Sequence, residues 1–421
     1  MSIPLRPELR PLEIVPIDGR QSVLFLLRDP EGFGETLALP DGAMFLAMLM
    51  DGVRTLAEIQ GEFKLHTDVQ VSLRDLEAIV RRLDEAYLLA GERFEAHRGK
   101  LIESYLNDPV RPASHAGGAY AAEPEELREQ LAALFTSEKG PGRPDPDGSP
   151  DGRQLCGIIS PHIDPHRGGP AFAWAYKQVV EHGEADLFVI FGTAHHPMEN
   201  LFCISRKDFD TPLGVVQTDR QFVDRLAEHL ASSVAGRQID LFADELVHRM
   251  EHSIEFQAMF LKYMLDAKRD FRIVPVLVGS FDEFIAGNTS PEESPEVQAF
   301  VAAVRAAASE HSGKVCYISG ADLAHIGQRF SDEWLLDQKR LARLAEDDKK
   351  LLERACDRDP AGFFSHVADQ RDRNRICGLS PTYTMLEVMD GVRGELLTYD
   401  QAVEPDGTSC VSFASVAFYP E

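Results

Sequence analysis

His162, His196, Asp322, His325 and Cys377 are the side chains whose types and positions could hold a metal ion or move a proton. All but the cysteine follow short apolar runs. Leu155 to Ile159 leads into Ser160-Pro161-His162, and Leu187 to Phe191 into Gly192-Thr193-Ala194-His195-His196. Val315 to Ser319 leads towards Asp322-Leu323-Ala324-His325, and a fourth run, Ile273 to Val278, ends in Gly279-Ser280. Neutral imidazole is the commonest side-chain ligand for a transition metal. A site for iron, copper or zinc needs about three protein ligands and a position left open for substrate or water. One histidine behind one strand is more often a hydrogen-bonded surface residue. Histidines behind several strands, in equivalent places, point to a shared site, and His162 and His196 are the best candidates.

Cys377 is the candidate third ligand. Ser380 and Pro381 read as N-cap and first residue of a helix over Thr382 to Met389, which places the sulfur just before a helix N-terminus, where the dipole favours thiolate. Gly378 suits a tight approach to a bound group. The alternative for this cysteine is an inert buried thiol. Asp322 and His325, three apart, can share one pocket edge, the carboxylate orienting the imidazole as a general acid or base; alternatively Asp322 caps a helix. In Glu251-His252-Ser253-Ile254-Glu255 the His-Glu-x-x-His order of a zinc protease is absent, and His252 either lines the pocket or caps the helix behind it.

These residues need a scaffold that brings them together. The apolar runs are short, rich in β-branched residues and separated by helix-length segments: Pro170 to Glu181, Arg220 to Ala231, Ser253 to Leu265, Pro295 to Ser309 and Asp332 to Cys356. That alternation predicts an α/β fold with a mainly parallel central sheet flanked by helices. Ligand sites of such sheets lie beyond the carboxyl ends of the strands. Glu395 to Ala402 and Cys410 to Tyr419 read as two antiparallel strands closing the sheet.

The first 108 residues read as a separate small α+β module, and residues 109–421 as the larger domain. In the module, Ser22 to Leu27 is strand-like, Ala43 to Met50 an apolar helix, and Thr55-Leu56-Ala57-Glu58 has the form of a capping box. Ser72 can cap a further helix whose Leu76, Ile79, Val80, Leu83 and Tyr87 make one apolar stripe. The Gly- and Pro-rich stretch Lys139 to Pro150 can form only a surface loop, and Asn288 to Pro295 reads as another. A helix over Glu123 to Phe135 belongs with the larger domain.

With 43 basic and 69 acidic side chains, the formal charge of -26 repels phosphate backbones, so nucleic acid is excluded as a partner. No apolar window approaches a membrane span and the first residues lack a signal-peptide core, which leads us to expect a soluble cytoplasmic protein. The six cysteines form no Cys-x-x-Cys pair, so most should be buried thiols rather than a disulfide framework or zinc ribbon.

The strand-end clusters Ser160-Pro161-His162, Gly192-Thr193-Ala194-His195-His196, Glu251-His252-Ser253-Ile254-Glu255, Ile273 to Gly279, Asp322 to Phe330 and Ile376-Cys377-Gly378, in this order and spacing, resemble the Memo family, as does Ser114 to Tyr120 ahead of them. The resemblance runs from about residue 112 to the end. It implies a fold similar to class III extradiol dioxygenases, with His162, His196 and Cys377 as metal-site residues and Asp322 and His325 beside them. Those dioxygenases use two histidines and a carboxylate. A thiolate in place of the carboxylate shifts preference towards copper or zinc or a redox role, with iron or copper the expected metal. The front module resembles PqqD-like winged-helix modules, which grip a peptide for a radical-SAM enzyme; a generic winged helix for packing is the alternative. Together these resemblances imply a metal-dependent, dioxygenase-like oxidoreductase in a radical-SAM-associated system acting on a peptide or small molecule. Alternatives are a non-catalytic scaffold that presents a peptide or protein to a radical-SAM partner, and metal-free thiol chemistry at Cys377 with His325 as base. Departures from the family are Asp164 and His166, either extra pocket groups or exposed loop residues, and Gln257 where the family carries a histidine.

Overall fold

Alternating apolar runs and amphipathic helical segments fold into two units, Met1–Asn107 and Asp108–Glu421. The computed structural model describes residues 3–18, 23–145, 152–230, 236, 239–266 and 268–421. In the first unit, strands β1 (Glu13–Asp18), β2 (Val23–Arg28) and β3 (Leu37–Pro40) form an antiparallel sheet in that order. Helices α1 (Asp41–Met48), α2 (Leu56–Thr67), α3 (Leu73–Glu85) and α4 (Glu92–Asn107) follow. The capping box forms as expected: the Thr55 hydroxyl accepts from the Glu58 amide and the Glu58 carboxylate accepts from the Thr55 amide. Ser72 likewise accepts from the Asp75 amide at the start of α3. Leu76, Val80 and Leu83 are fully buried on one face of that helix. Tyr87 does not continue their stripe. The helix ends at Glu85, and Tyr87 takes a left-handed conformation (φ 60°) and stacks on His97. Neither β1, β3 nor α4 was evident in the sequence.

The second unit begins with β4 (Val110–Arg111), α5 (Pro124–Thr136), β5 (Gly157–Ser160), α6 (Pro165–Glu181), β6 (Leu187–Thr193), β7 (Phe202–Ile204) and β8 (Asp208–Phe209). It continues through α7 (Arg220–Leu230), α8 (His252–Leu265), β9 (Arg272–Val278), α9 (Asp282–Gly287), α10 (Pro295–Ser309), β10 (Val315–Gly320) and β11 (His325–Ile326). Helices α11 (Gln338–Cys356), α12 (Pro360–Ala368) and α13 (Leu379–Val388) lead to the long hairpin β12 (Val392–Val403) and β13 (Cys410–Pro420). The large sheet runs β11-β13-β5-β10-β6-β9-β7, with β12 on the outside of β13. Its four central strands, β5, β10, β6 and β9, are parallel. Strands β13 and β7 border them antiparallel; the hairpin β12–β13 is the expected antiparallel closure, while β7 and the short β11 make the sheet more mixed than expected.

Helices cover both faces of this sheet, which is why its central strands read as unbroken apolar runs. Along β6, Leu187, Val189 and Phe191 pack into a core with Phe222 of α7, Val304 of α10 and Tyr383 of α13, while Phe188 and Ile190 face Phe172 of α6 and Phe260 of α8. Several helix boundaries differ from the sequence reading. Helix α6 starts at Pro165, five residues before Pro170, because Pro165 already supplies the preset φ of a first helical position and Pro170 costs only one early hydrogen bond. Helix α11 starts at Gln338, where Asp337 caps it, rather than at Asp332. Of the Gly- and Pro-rich loop, 139–145 lack regular structure beyond a turn, and 146–150 lie outside the described residues. Among the described residues no helix is long and apolar enough to cross a membrane.

Candidate metal centre

Three adjacent parallel strands deliver their polar groups at the same offset. His162 stands two residues past β5, Asp322 two past β10 and His195 two past β6. The N-terminus of α8 closes against these strand ends from one face. It can approach because Gly192 and Gly320 carry no side chain: a Cβ on either would stand 2.5 Å from Ser253. Gln257 of α8 donates to the Pro161 carbonyl (2.8 Å) and accepts from the Tyr176 hydroxyl (2.8 Å), tying the helix to the turn that carries His162. The residue that departs from the family's histidine is thus a buried structural tie.

His162 is 2% exposed, and its Nδ1 lies 2.8 Å from the Gly320 carbonyl. A carbonyl only accepts, so Nδ1 carries the hydrogen and Nε2 keeps its lone pair. That Nε2 lies 3.3 Å from Cys377 Sγ. The ligand atoms of His162, His195 and Cys377 all lie within 4.8 Å of one another. The expectation that His196 would be the second imidazole is corrected: His195 joins the cluster, and His196 belongs to no described ligand group. Glu251 makes the selection, accepting both the His195 amide (2.9 Å) and its Nδ1 (3.0 Å).

Burial, reinforced by His195, holds the His162 imidazole down at about 3, so the ring is neutral and able to ligate. For His195, burial acts downward too, but the Glu251 carboxylate outweighs it and the pKa rises. Glu251 itself stays well below the ordinary carboxylate range although it is buried, because His195 faces it. The expectation that a helix dipole would favour thiolate at Cys377 does not hold. Burial first, then the Asp322 carboxylate, push the thiol well above its usual value. Helix α13 begins at Leu379 with Gly378 as its N-cap, so Ser380 and Pro381 sit inside the first turn and the sulfur lies outside it. Gly378 serves a close approach to neighbouring backbone rather than to a bound group: a Cβ there would stand 2.3 Å from the Asp322 carbonyl.

Asp322 also differs from expectation. Its Oδ1 accepts from the amides of His162 (2.9 Å) and Ile163 (3.1 Å), so it shapes the His162 turn instead of orienting His325. Its Oδ2 lies 3.7 Å from His162 Nε2. Burial raises its pKa to about 6, against the opposing pull of His325 and the two amides. His325 Nδ1 is held between the carbonyls of Leu323 (3.3 Å) and Arg375 (3.2 Å).

Most of the α8 wall becomes visible only in the fold. Glu251 is the N-cap of α8, accepting from the Ser253 amide, and His252 is the first helical residue. The His252 ring stacks on His195 (4.8 Å between centroids) and meets His162 edge-on (5.2 Å), so it lines the pocket. One turn along, Glu255 is fully buried and pairs with Arg111, Tyr120 Oη and His115 Nδ1. Arg111, also fully buried, donates to the carbonyls of His248, Pro112 and Glu251. Despite burial Glu255 is held down at about 2, chiefly by Arg111. The available signal was the Glu251/Glu255 pair at helical spacing. Asp164 occupies the N-cap position of α6 and His166 is exposed in its first turn; neither belongs to a described ligand group. A cavity of about 260 Å³ reaches His195 and Cys377 between Thr193, Ser280, Phe281 and Arg375. Two imidazoles and one sulfur around a common point are a donor set suited to iron, copper or zinc.

A family model described as Memo-like protein matches residues 111–417. A MEMO1 family protein of Aquifex aeolicus is 28% identical over 420 residues, covering 99% of this chain and 100% of its own length. MEMO1 family proteins of Methanosarcina barkeri (28% identical; 73% of this chain, 99% of theirs) and Thermus thermophilus (27%; 86% and 98%) match as well. A crystal structure of an uncharacterized protein from Escherichia coli K12 superposes with a TM-score of 0.37 at 12% identity, covering 63% of this chain and 99% of that one. On the match that spans residues 111–417, the chain belongs to the Memo family.

Proposed function

We propose that the second unit is a metal-dependent oxidoreductase centre whose metal, iron or copper, is held by His162, His195 and Cys377. The observation that carries this reading is the convergence of three ligand atoms within 4.8 Å from positions up to 215 residues apart. When bound, such a metal supplies a Lewis acid and a one-electron partner for dioxygen or substrate. The chain's own groups do the rest. Gly320 fixes the His162 tautomer, and Glu251 holds His195. Asp322, with a pKa near 6, can take or return a proton at Oδ2, and His325 stands near it as a second proton carrier. The 260 Å³ cavity suits a small polar substrate, with Arg375 and Ser280 among the groups that would orient it. The parallel strand ends are compatible with an extradiol-dioxygenase scaffold, but Cys377 in place of a carboxylate favours redox chemistry over ring cleavage.

The test is metal content after anaerobic purification. Cys377→Ala and His195→Ala should each lower bound metal at least about tenfold, since loss of even an outer-shell partner costs about that much, whereas His196→Ala should stay close to wild type. Unchanged metal in both ligand variants would sink the reading.

Within the same proposal, the first unit acts as a PqqD-like winged-helix module that brings a peptide or radical-SAM partner to the protein in the cytoplasm. What favours a docking role is that Ile14 on β1 and Val23 on β2, 40% and 44% exposed, lie on the same face of the paired strands. Ile14→Asp with Val23→Asp in the full chain should abolish co-purification with such a partner while leaving metal content unchanged. If co-purification survives, that surface is not the dock.

A further inference from the structure

The pocket holds more ligating groups than one ion requires. His115, His162, His195 and His252 form a continuous cluster of rings, with neighbouring centroids 4.8–5.6 Å apart. Four imidazoles around one mononuclear site leave at least one without a role in it.

Glu251 marks where the surplus gathers. It is 2% exposed, and its place is set by backbone: it accepts from the Ser253 amide as the cap of α8 and from the His195 amide. Two imidazoles then aim the same nitrogen at it. His195 Nδ1 lies 3.0 and 3.1 Å from its two oxygens, and His252 Nδ1 lies 3.3 Å from Oε1. The ligand atoms of His195, Glu251 and His252 all fall within 4.8 Å of one another, a grouping that shares only His195 with the cluster of His162 and Cys377. Bonds of about 2.0–2.2 Å to nitrogen and oxygen in tetrahedral geometry put neighbouring donor atoms about 3.3 Å apart. The two imidazole–carboxylate edges, 3.0–3.1 and 3.3 Å, are close to that separation before any ion enters, and the third lies within 4.8 Å.

The two imidazoles of the first cluster, His162 and His195, are not equally free to serve either side. His162 has given Nδ1 to the Gly320 carbonyl, so only its Nε2 can ligate, and that atom faces Cys377. His195 has Nδ1 on Glu251, which leaves Nε2 as its second ligating nitrogen. We propose that Glu251, His252 and His195 form a second position for a divalent first-row ion, next to the first, with His195 able to bridge the two through its two nitrogens. The donor set of two imidazoles and a carboxylate is harder than one containing thiolate. It selects zinc, cobalt, manganese or ferrous iron, while the sulfur side takes the softer ion. Filling the second position beside an occupied first one removes one proton from His195 to solvent and leaves His252 protonated only at Nε2. The bridging rests on the metal centre proposed above; cation binding at Glu251 and His252 does not.

The experiment is an anaerobic titration of the metal-free full-length protein with Co²⁺. It is read both as bound cobalt per chain after gel filtration and as the near-ultraviolet charge-transfer band that only a cobalt–thiolate bond produces. Wild type should saturate at about two equivalents and show the band. Cys377→Ser should lose the band and keep about one equivalent. His252→Gln and Glu251→Gln should keep the band and fall to about one. Saturation of wild type at one equivalent with the band present overturns the second position and leaves the first standing. Cobalt binding that depends on His252, without a thiolate band in wild type, does the reverse. Because the wild-type stoichiometry alone decides the matter, a variant that fails to fold does not shelter the proposal.

Discussion

Glu255, in the α8 wall of the pocket, and Asp322, at the end of β10, are buried alike, 0% and 2% exposed, and their pKa values move in opposite directions. Glu255 has Arg111 against it and is held at about 2; Asp322 has two backbone amides and no cation in contact, and rises to about 6. Burial acts upward on both. What separates them is chiefly one buried guanidinium, with the His115 and Tyr120 hydrogen bonds beside it, so here a counter-ion and its partners, not depth, decide which acid keeps its charge. The consequence is a division of labour. The α8 wall is a fixed anion that orients imidazoles, while the strand-end wall holds an acid able to exchange its proton near neutrality.

The largest effect should come from removing the guanidinium. Arg111→Met leaves Glu255 without its cation and the carbonyls of His248 and Glu251 without their donor, and should cost about 3–5 kcal/mol in urea denaturation. A loss under about 1 kcal/mol would mean that the pair does not hold this wall.

Asp348 extends the comparison outside the pocket. It is 1% exposed, accepts from Tyr399 Oη at 2.8 Å, and burial raises its pKa to about 6. The native state therefore binds this proton more tightly than the unfolded chain, whose value is near 3.8. The stability it contributes is complete below about pH 4 and lost as pH rises through about 6, on the order of 2–3 kcal/mol. Asp348→Asn, neutral throughout, should lack that part of the decline when denaturation is measured from pH 4 to 7. Identical slopes in the two proteins would show that a buried acid without a cation is not protonated here.

Tyr120→Phe should have the smallest effect, about 1.5 kcal/mol, because Glu255 keeps Arg111 and His115 when the phenol donor is gone. A loss as large as that of Arg111→Met would transfer the credit from the guanidinium to the phenol.

Much of this fold could be read along the chain because its signals are local. Thr55 and Ser72 cap helices through residues three positions away, and the runs around Ile158, Val189, Val274 and Ile318 are apolar throughout because they are covered on both faces. The antiparallel flanks were less legible, since β7 and β11 span only three and two residues and owe their pairing to the strands beside them. In the pocket, His162 and Cys377 were found by type and position. The choice between His195 and His196 was not, because the carboxylate that makes it lies 56 positions away. Arg111 escaped notice for the same reason: its partner Glu255 is remote in sequence, and nothing local sets it apart from the other arginines.

From the order of residues alone came the alternation of strands and helices, the placement of histidine, aspartate and cysteine at element ends, and the family those clusters share. Those features depend on spacing within a few residues and on which side chains can be buried. Tertiary structure alone decided which imidazole of a pair enters the pocket, that Asp322 grips the His162 turn, that the Cys377 thiol is raised and not lowered, and that Glu251 and Glu255 brace one wall. Each of those outcomes is set by distances of about 3 Å between groups brought together only by folding, where desolvation and a single neighbouring charge outweigh any local preference.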